Sequence, residues 1–293
     1  MIVNEYEKFL EKKLKDGNSF VLTAENLLAI RNLKKKDVLD VGISEQSLIG
    51  IASGIAKMGG KCYVHALSNF LLSRAYEFLK IDLDYNKCHC VLVGSVGGIQ
   101  STFNGPTHQS IDELSILENF NTFEILFPIT IDEMVSKLKS FKFKKTLYIR
   151  YTPETNKQIN INKKKITNNF LIGKGDILII SYGPVCSEIF QLMQNNKHLQ
   201  NKFKLFNFSY IKKKKITHEF KKFKKFKKIL VIEDHLEFGS IHSRLKSIIS
   251  KNNDKISIKS INFGENYFKT EEKITTIMKN MGISEKKLLN IKI

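Results

Sequence analysis

Hydrophobic and polar positions alternate between two periods along the chain, which predicts a regular succession of strands and helices from about residue 37 onward. Short apolar runs are typical of buried strands, and apolar residues three and four positions apart are typical of amphipathic helices. The strands predicted in the first half are Val38–Val41, Cys62–Ala66, Cys88–Val93, Phe123–Phe127 and Leu147–Tyr151. The helices predicted between them are Glu45–Met58, Asn69–Lys80, Ile111–Asn119 and Thr130–Phe141.

The same pattern restarts after a polar segment rich in Lys and Asn. The strands predicted there are Ile177–Ser181, Phe203–Phe208, Ile229–Glu233 and Ile256–Ile261, with helices between them. Strands that are apolar on both faces and alternate with helices indicate a mostly parallel sheet covered on both sides. We therefore predict an α/β protein of two domains, residues 1–155 and 169–293, joined by a linker at residues 156–168.

The net charge of +19 raises the question of a nucleic-acid partner. Only four of the 48 basic residues are Arg, and bidentate recognition of bases and phosphates favours Arg over Lys. In the run KKFKKFKK, Phe220, Phe223 and Phe226 recur every third residue, which favours a surface helix docked through its aromatic side. We expect a Lys-rich solvated surface, and a basic nucleic-acid-binding or scaffold protein remains the non-enzymatic alternative.

Several other classes of protein are disfavoured by composition. No apolar run approaches the roughly 18 residues that cross a bilayer, and the first 17 residues are charged throughout, so we expect a cytoplasmic protein without a membrane anchor. The four cysteines include no C-x-x-C pair, so we expect reduced, buried thiols and no metal site formed by this chain.

Three segments combine a strand end with residues suited to chemistry. The first, Asp40–Gln46, leads into a helix with many small residues, which allow a flat ligand or another backbone to approach closely. The second, Ser68–Glu77, contains one of the few arginines. The third, Gly94–Gln109, is a glycine-rich loop after a buried strand, where open α/β sheets bind ligands, although it fits neither G-x-G-x-x-G nor a P-loop.

These motifs, in this order, resemble the pyrimidine-binding domain of transketolases and deoxyxylulose-phosphate synthases. The matching stretches are V-G-I-S-E-Q at 41–46, the F-L-L-S-R-A-Y-E segment at 70–77, G-P-T-H-Q at 105–109 and I-R-Y at 149–151. Residues 173–175, 180–183 and 231–240 are similar to the C-terminal domain of the same family. The resemblance therefore extends over nearly the whole chain and implies a thiamine diphosphate-dependent enzyme that transfers a two-carbon ketol unit between a ketose and an aldose.

The resemblance also implies roles for individual residues. Glu45 matches the glutamate that hydrogen-bonds the cofactor's aminopyrimidine, and Phe70 matches the aromatic residue that packs against that ring. His108 matches a histidine that binds the donor sugar and acts in catalysis. Arg150 and Arg74 match positions that bind the phosphate or other anionic end of a substrate, for which Arg is well suited.

Two departures from the family pattern bear on substrate and assembly. Asn104 stands where the family usually has an aspartate that contacts a donor hydroxyl, so the identity of the donor sugar stays open. The G-D-G motif that holds the diphosphate and Mg²⁺ is missing. The chain therefore resembles the C-terminal subunit of a split transketolase, with Mg²⁺ held mainly by an N-terminal subunit in a heterotetramer of two plus two.

Two related enzyme types are the alternatives within the same architecture. The beta subunit of a 2-oxo acid dehydrogenase normally carries a different sequence around the loop histidine, so G-P-T-H-Q argues against that activity. A deoxyxylulose-phosphate synthase-like enzyme shares more of the motifs, but its interval between the positions of Phe70 and Arg74 is one residue shorter.

Overall fold

The computed structural model describes residues 4–100, 104–156, 169–211, 213–267 and 274–293. The predicted linker at residues 156–168 lies outside the described residues, apart from its first residue. Among the described residues, no helix is long and apolar enough to cross a membrane.

The first half of the chain builds most of a seven-stranded sheet, to which the second half adds one short strand, β10 (Tyr210–Ile211). The order of this sheet is β10-β5-β6-β4-β3-β1-β2. Neighbouring strands are parallel, except that β10 runs antiparallel to β5. The strands from this half are β1 (Ser19–Thr23), β2 (Val38–Asp40), β3 (Lys61–Leu67), β4 (Val91–Ser95), β5 (Phe123–Leu126) and β6 (Thr146–Tyr151). The helices are α1 (Glu5–Leu14), α2 (Glu45–Lys57), α3 (Ser68–Ser73), α4 (Tyr76–Phe78), α5 (Glu113–Leu117) and α6 (Ile131–Ser140).

The second half forms a five-stranded sheet of order β12-β11-β8-β9-β7, in which β7 alone is antiparallel to its neighbour. Its strands are β7 (Phe170–Gly173), β8 (Ile177–Ser181), β9 (Phe203–Asn207), β11 (Lys228–Ile232) and β12 (Ser257–Ile261). Its described helices are α7 (Gly183–Gln194), α8 (Lys197–Lys202), α9 (Lys213–Phe223), α10 (Ile241–Lys251), α11 (Ile274–Asn280) and α12 (Glu285–Asn290).

A short strand fastens the two halves together. β10 (Tyr210–Ile211) comes from the second half but pairs with β5, so it belongs to the first sheet. The backbone N–H of Phe127 also donates to the carbonyl of Ser209 at 2.8 Å, next to this pairing. The core accordingly runs through both halves, because buried side chains of both sheets pack in one continuous cluster.

The predicted α/β class with mostly parallel sheets is confirmed, whereas some elements differ from prediction. α1 and β1 lie before residue 37 and were not predicted, because the apolar positions of α1 are interrupted by charged residues and the apolar run of β1 is only three residues long. The helix predicted over Asn69–Lys80 is broken into α3, α4 and a π-helical segment, Leu79–Tyr85. The break is at Ala75, whose φ of −97° and ψ of 16° depart from α-helical values.

The basic aromatic run packs as its spacing predicts. Phe220, Phe223 and Phe226 are all buried, and the ring of Phe223 meets the ring of Phe206 on β9 nearly edge-on, with centroids 4.8 Å apart. The flanking lysines of this run are exposed. The aromatic residues therefore stabilise the docking of α9 on the second sheet.

Candidate active site

The buried carboxylate of Glu45 marks the carboxyl-terminal edge of the first sheet. β2 ends at Asp40, and the chain then turns through Gly42, whose φ of 73° is readily adopted by glycine. Glu45 begins α2, where the positive end of the helix dipole favours a negative charge. The residue is only 2% exposed, so its carboxylate is almost fully shielded from solvent.

α3 brings an aromatic ring and a guanidinium to this carboxylate. The helix starts directly after β3, at the same edge of the sheet, and Phe70 and Arg74 lie one turn apart. Nη1 of Arg74 donates to Oε2 of Glu45 at 3.3 Å, and its Cζ lies 3.7 Å from the centre of the Phe70 ring. Arg74 is the one hydrogen-bond partner of the Glu45 carboxylate among the residues the structure describes, so Oε1 keeps its capacity to accept.

His108 completes the group from the glycine-rich loop. Gly105 has a φ of 80°, and Pro106–His108 then forms a 3₁₀ turn. The side-chain amide of Asn69 donates to the carbonyl of Thr107 at 2.7 Å, which ties this turn to α3. The ring of His108 stands edge-on to Phe70, with centroids 4.9 Å apart, and its Nδ1 lies 3.0 Å from Oγ1 of Thr107.

The structure thus brings together Glu45, Phe70, Arg74 and His108, four of the six residues selected from the sequence. Asn104 lies on the same loop as His108 and is exposed to solvent. A carboxylate at a helix start, an aromatic face and an imidazole at one sheet edge form a place where a flat heteroaromatic ring can be stacked and hydrogen-bonded.

The sixth residue, Arg150, hydrogen-bonds none of these four residues among those the structure describes, and its binding of substrate stays a prediction. Its side chain is fully buried in an ion-pair network between the two halves. Nε donates to Glu113 at 2.6 Å, and Nη1 donates to both carboxylate oxygens of Asp234 at 2.8 and 3.0 Å. The guanidinium also covers the ring of Phe127, at 4.1 Å from its centre. Such an arrangement fixes the arginine between two acids.

Two glycines of the glycine-rich loop make room for this network. A Cβ atom on Gly97 would overlap a carboxylate oxygen of Glu113, and one on Gly98 would overlap a carboxylate oxygen of Asp234. Any side chain at either position would displace a buried acid. At these two positions, therefore, the loop serves the packing of the two halves.

Glu113 also connects the network to the candidate site around Glu45, Phe70 and His108. Its Oε1 accepts from the hydroxyls of Ser68 and Tyr148, and Ser68 is the first residue of α3. The hydroxyl of Ser68 further contacts that of Ser110 at 3.1 Å, two residues beyond His108. The helix that carries Phe70 and the loop that carries His108 are thus both hydrogen-bonded to the buried network.

His235 packs between the two halves. Burial lowers its pKa to about 4, so the ring is neutral near pH 7 and can accept a hydrogen bond. Its Nε2 accepts from the backbone N–H of Leu114 at 3.2 Å.

We expect Arg150→Ala to destabilise the fold by about 3–5 kcal/mol, because Glu113 and Asp234 would be left buried without their counter-charge. Arg31→Ala, at an exposed position, serves as the control and should change stability by less than about 0.5 kcal/mol. Urea unfolding of both variants measures the difference. A loss below about 1 kcal/mol for Arg150→Ala would show that the buried network contributes little.

Comparison with known proteins identifies the family to which this architecture belongs. Residues 9–154 match the family model described as "Transketolase, pyrimidine binding domain". The chain is 25% identical over 221 residues to one subunit of the apulose-4-phosphate transketolase of Phocaeicola vulgatus, covering 73% of this chain and 70% of that protein. It is 24% identical over 263 residues to the 1-deoxy-D-xylulose-5-phosphate synthase of Clostridium tetani, covering 88% of this chain and 42% of that protein.

A solved structure described as "Split gene transketolase, inactive beta4 tetramer" has the same fold. It superposes with a TM-score of 0.76 at 15% identity, over 97% of this chain and 94% of that one. The matching family model, the similar relatives and the shared fold agree with the motifs around Glu45 and His108. The chain therefore belongs to the transketolase family, and residues 9–154 are its pyrimidine-binding domain.

Proposed function

We propose that the chain is the pyrimidine-binding subunit of a thiamine diphosphate-dependent transketolase that transfers a two-carbon ketol unit between a ketose and an aldose. The observation that carries this proposal is the meeting of Glu45, Phe70 and His108 at one sheet edge in a transketolase pyrimidine-binding domain. Each of these side chains comes from a different segment of the chain, and the fold brings them within contact of one another or of Arg74.

The residues of the candidate site fit the aminopyrimidine half of the cofactor. When bound, thiamine diphosphate supplies a carbanion at its thiazolium ring. Glu45 would hold a ring nitrogen of the aminopyrimidine and share a proton with it at the carboxylate, for which its buried place at the start of α2 is suited. Phe70 would pack against the ring and exclude water from it.

The contacts with substrate are assigned to two loop residues, His108 and Asn104, and to Arg74. His108 would hydrogen-bond the oxygens of the donor sugar, and Asn104, exposed on the same loop, would contact a donor hydroxyl. An asparagine both donates and accepts, without charge, so its demands on the donor differ from those of an aspartate. The Arg74 side chain is 43% exposed, and its guanidinium would bind the phosphate or other anionic end of a substrate.

A second polypeptide would hold the diphosphate and Mg²⁺, as oxygen ligands in near-octahedral geometry. The name of the Phocaeicola relative describes one subunit of a transketolase, and the split-gene structure is described as an inactive tetramer of beta chains. Exposed residues along α2, which begins at Glu45, support a docking surface for that second polypeptide: Ser47, Ile51 and Gly54, with Ile43 just before the helix and Met58 just after it. We propose a heterotetramer of two plus two.

Three assays on the chain with its partner subunit, thiamine diphosphate and Mg²⁺ distinguish the proposed reaction from its relatives. Ketol transfer from ketose or ketose-phosphate donors to an aldose should proceed. Release of CO₂ from pyruvate, alone or with glyceraldehyde 3-phosphate, should stay at background. Decarboxylation of pyruvate without ketol transfer would contradict the proposed function and would favour a synthase or 2-oxo acid dehydrogenase activity.

A further inference from the structure

Arg74 shields the two groups that the proposed function assigns to the cofactor. Its guanidinium stacks on the face of the Phe70 ring at 3.7 Å and donates to Oε2 of Glu45 at 3.3 Å. The Arg74 side chain is 43% exposed, whereas that of Glu45 is 3% exposed. Arg74 therefore lies between the solvent and the buried carboxylate.

A guanidinium and an aminopyrimidine make similar contacts. Both are planar and both stack on an aromatic face. Both also form a hydrogen bond with a carboxyl group: the guanidinium donates an N–H to it, and the ring nitrogen of the aminopyrimidine shares a proton with it. The rings of His108 and Phe70 also form a T-shaped pair, with centroids 4.9 Å apart and planes at 68°. The guanidinium of Arg74 covers one face of the Phe70 ring. A pyrimidine ring can stack on that face only after the guanidinium has moved away.

We propose that Arg74 competes with the pyrimidine ring of the cofactor for Glu45 and Phe70, and so sets the affinity of the chain for that ring. This competition rests on the proposed function, since it requires the ring to bind at these two residues. Because the arginine side chain is long and partly exposed, it can swing toward solvent without disturbing the core. Once displaced, its guanidinium is free to bind the anionic end of a substrate.

The size of the effect follows from the contacts that the ring has to replace. A partly exposed ion pair and a cation–π contact each contribute modestly, and together they correspond to a factor of about 5–10 in a binding constant. We therefore expect Arg74→Ala to bind thiamine about 5–10-fold more tightly than the wild type. Arg74→Lys keeps the positive charge but loses the planar group that stacks on Phe70. Its affinity for thiamine should lie between those of the wild type and Arg74→Ala.

The experiment titrates the full chain with thiamine, in complex with its partner subunit. Thiamine carries the pyrimidine but no diphosphate, so its dissociation constant does not include the attraction between the diphosphate and positively charged groups. Arg31→Ala removes one positive charge at an exposed position elsewhere and should leave the dissociation constant unchanged. The competition is wrong if Arg74→Ala binds thiamine equally well or more weakly than the wild type.

A further variant separates failure of the competition from failure of the proposed function. Glu45→Ala should weaken thiamine binding at least tenfold, because it removes the carboxylate that holds the ring. If Glu45→Ala weakens binding and Arg74→Ala does not tighten it, the ring binds as proposed and the competition is wrong. If Glu45→Ala has no effect, the ring binds elsewhere, and both the cofactor assignment and the competition fall.

Discussion

Replacing Glu45 by glutamine is expected to lower the turnover of the assembled enzyme by at least a hundredfold while leaving the fold intact. Glutamine has the same length and also accepts a hydrogen bond, so it fits the buried position at the start of α2. A neutral amide cannot share a proton with the aminopyrimidine. The loss should therefore fall on activation of the cofactor and not on folding.

Hydrogen–deuterium exchange at the reactive carbon of thiamine diphosphate measures this activation directly. In the wild-type complex the exchange should be much faster than in free cofactor. In the Glu45→Gln complex the exchange rate should fall by about the same factor as the turnover does. Glu5→Gln is a matched control, because Glu5 begins α1 as Glu45 begins α2 but is exposed. An unchanged exchange rate in Glu45→Gln would contradict the role assigned to this carboxylate.

The residues of the candidate site could be selected from the sequence because each lies in a short local motif at a strand end. Glu45 follows a strand and begins a helix of small residues, and His108 lies in G-P-T-H-Q after a glycine-rich turn. Parallel strands present their carboxyl ends at one edge, so residues that follow different strands meet there. The cation–π contact between Arg74 and Phe70 was not foreseen, although their one-turn spacing in a helix allows it.

The buried network was not predictable in the same way, because its members are far apart along the chain. Arg150 and Asp234 are 84 positions apart, and Glu113 lies in a short helix that looks like an ordinary surface segment. Arg150 was selected from the sequence as a residue whose guanidinium binds an anionic group, and in the structure this guanidinium hydrogen-bonds two carboxylates. The sequence does not show whether that guanidinium meets a ligand or two acids of its own chain, since this depends on how the two halves pack.

We expect the purified chain alone to show no ketol transfer and to bind thiamine diphosphate only weakly. In the proposed assembly the partner subunit would hold the diphosphate with Mg²⁺ and so provide most of the charge-based anchoring of the cofactor. Among the described residues of this chain, no group of three or more His, Cys, Asp or Glu side chains is placed to hold a metal ion. The exposed apolar side chains of Ile51 on α2 and of Met58 just after it should favour self-association of the isolated chain.

Addition of the subunit that carries the diphosphate-binding domain should restore activity, with saturation at one partner chain per chain. Activity is followed by ketol transfer at increasing partner concentration, and size-exclusion chromatography with light scattering gives the assembly. Two plus two chains should elute together. Saturation at a different ratio would contradict the proposed heterotetramer.

Calorimetric titration with thiamine diphosphate and Mg²⁺, with and without the partner subunit, tests the central claim that half of the cofactor site lies on this chain. We predict weak binding to either subunit alone, at least a hundredfold tighter binding to the equimolar mixture, and loss of that gain when this chain carries Glu45→Ala. Micromolar cofactor binding together with turnover by this chain alone, or tight binding that Glu45→Ala in the mixture leaves unchanged, would contradict the account.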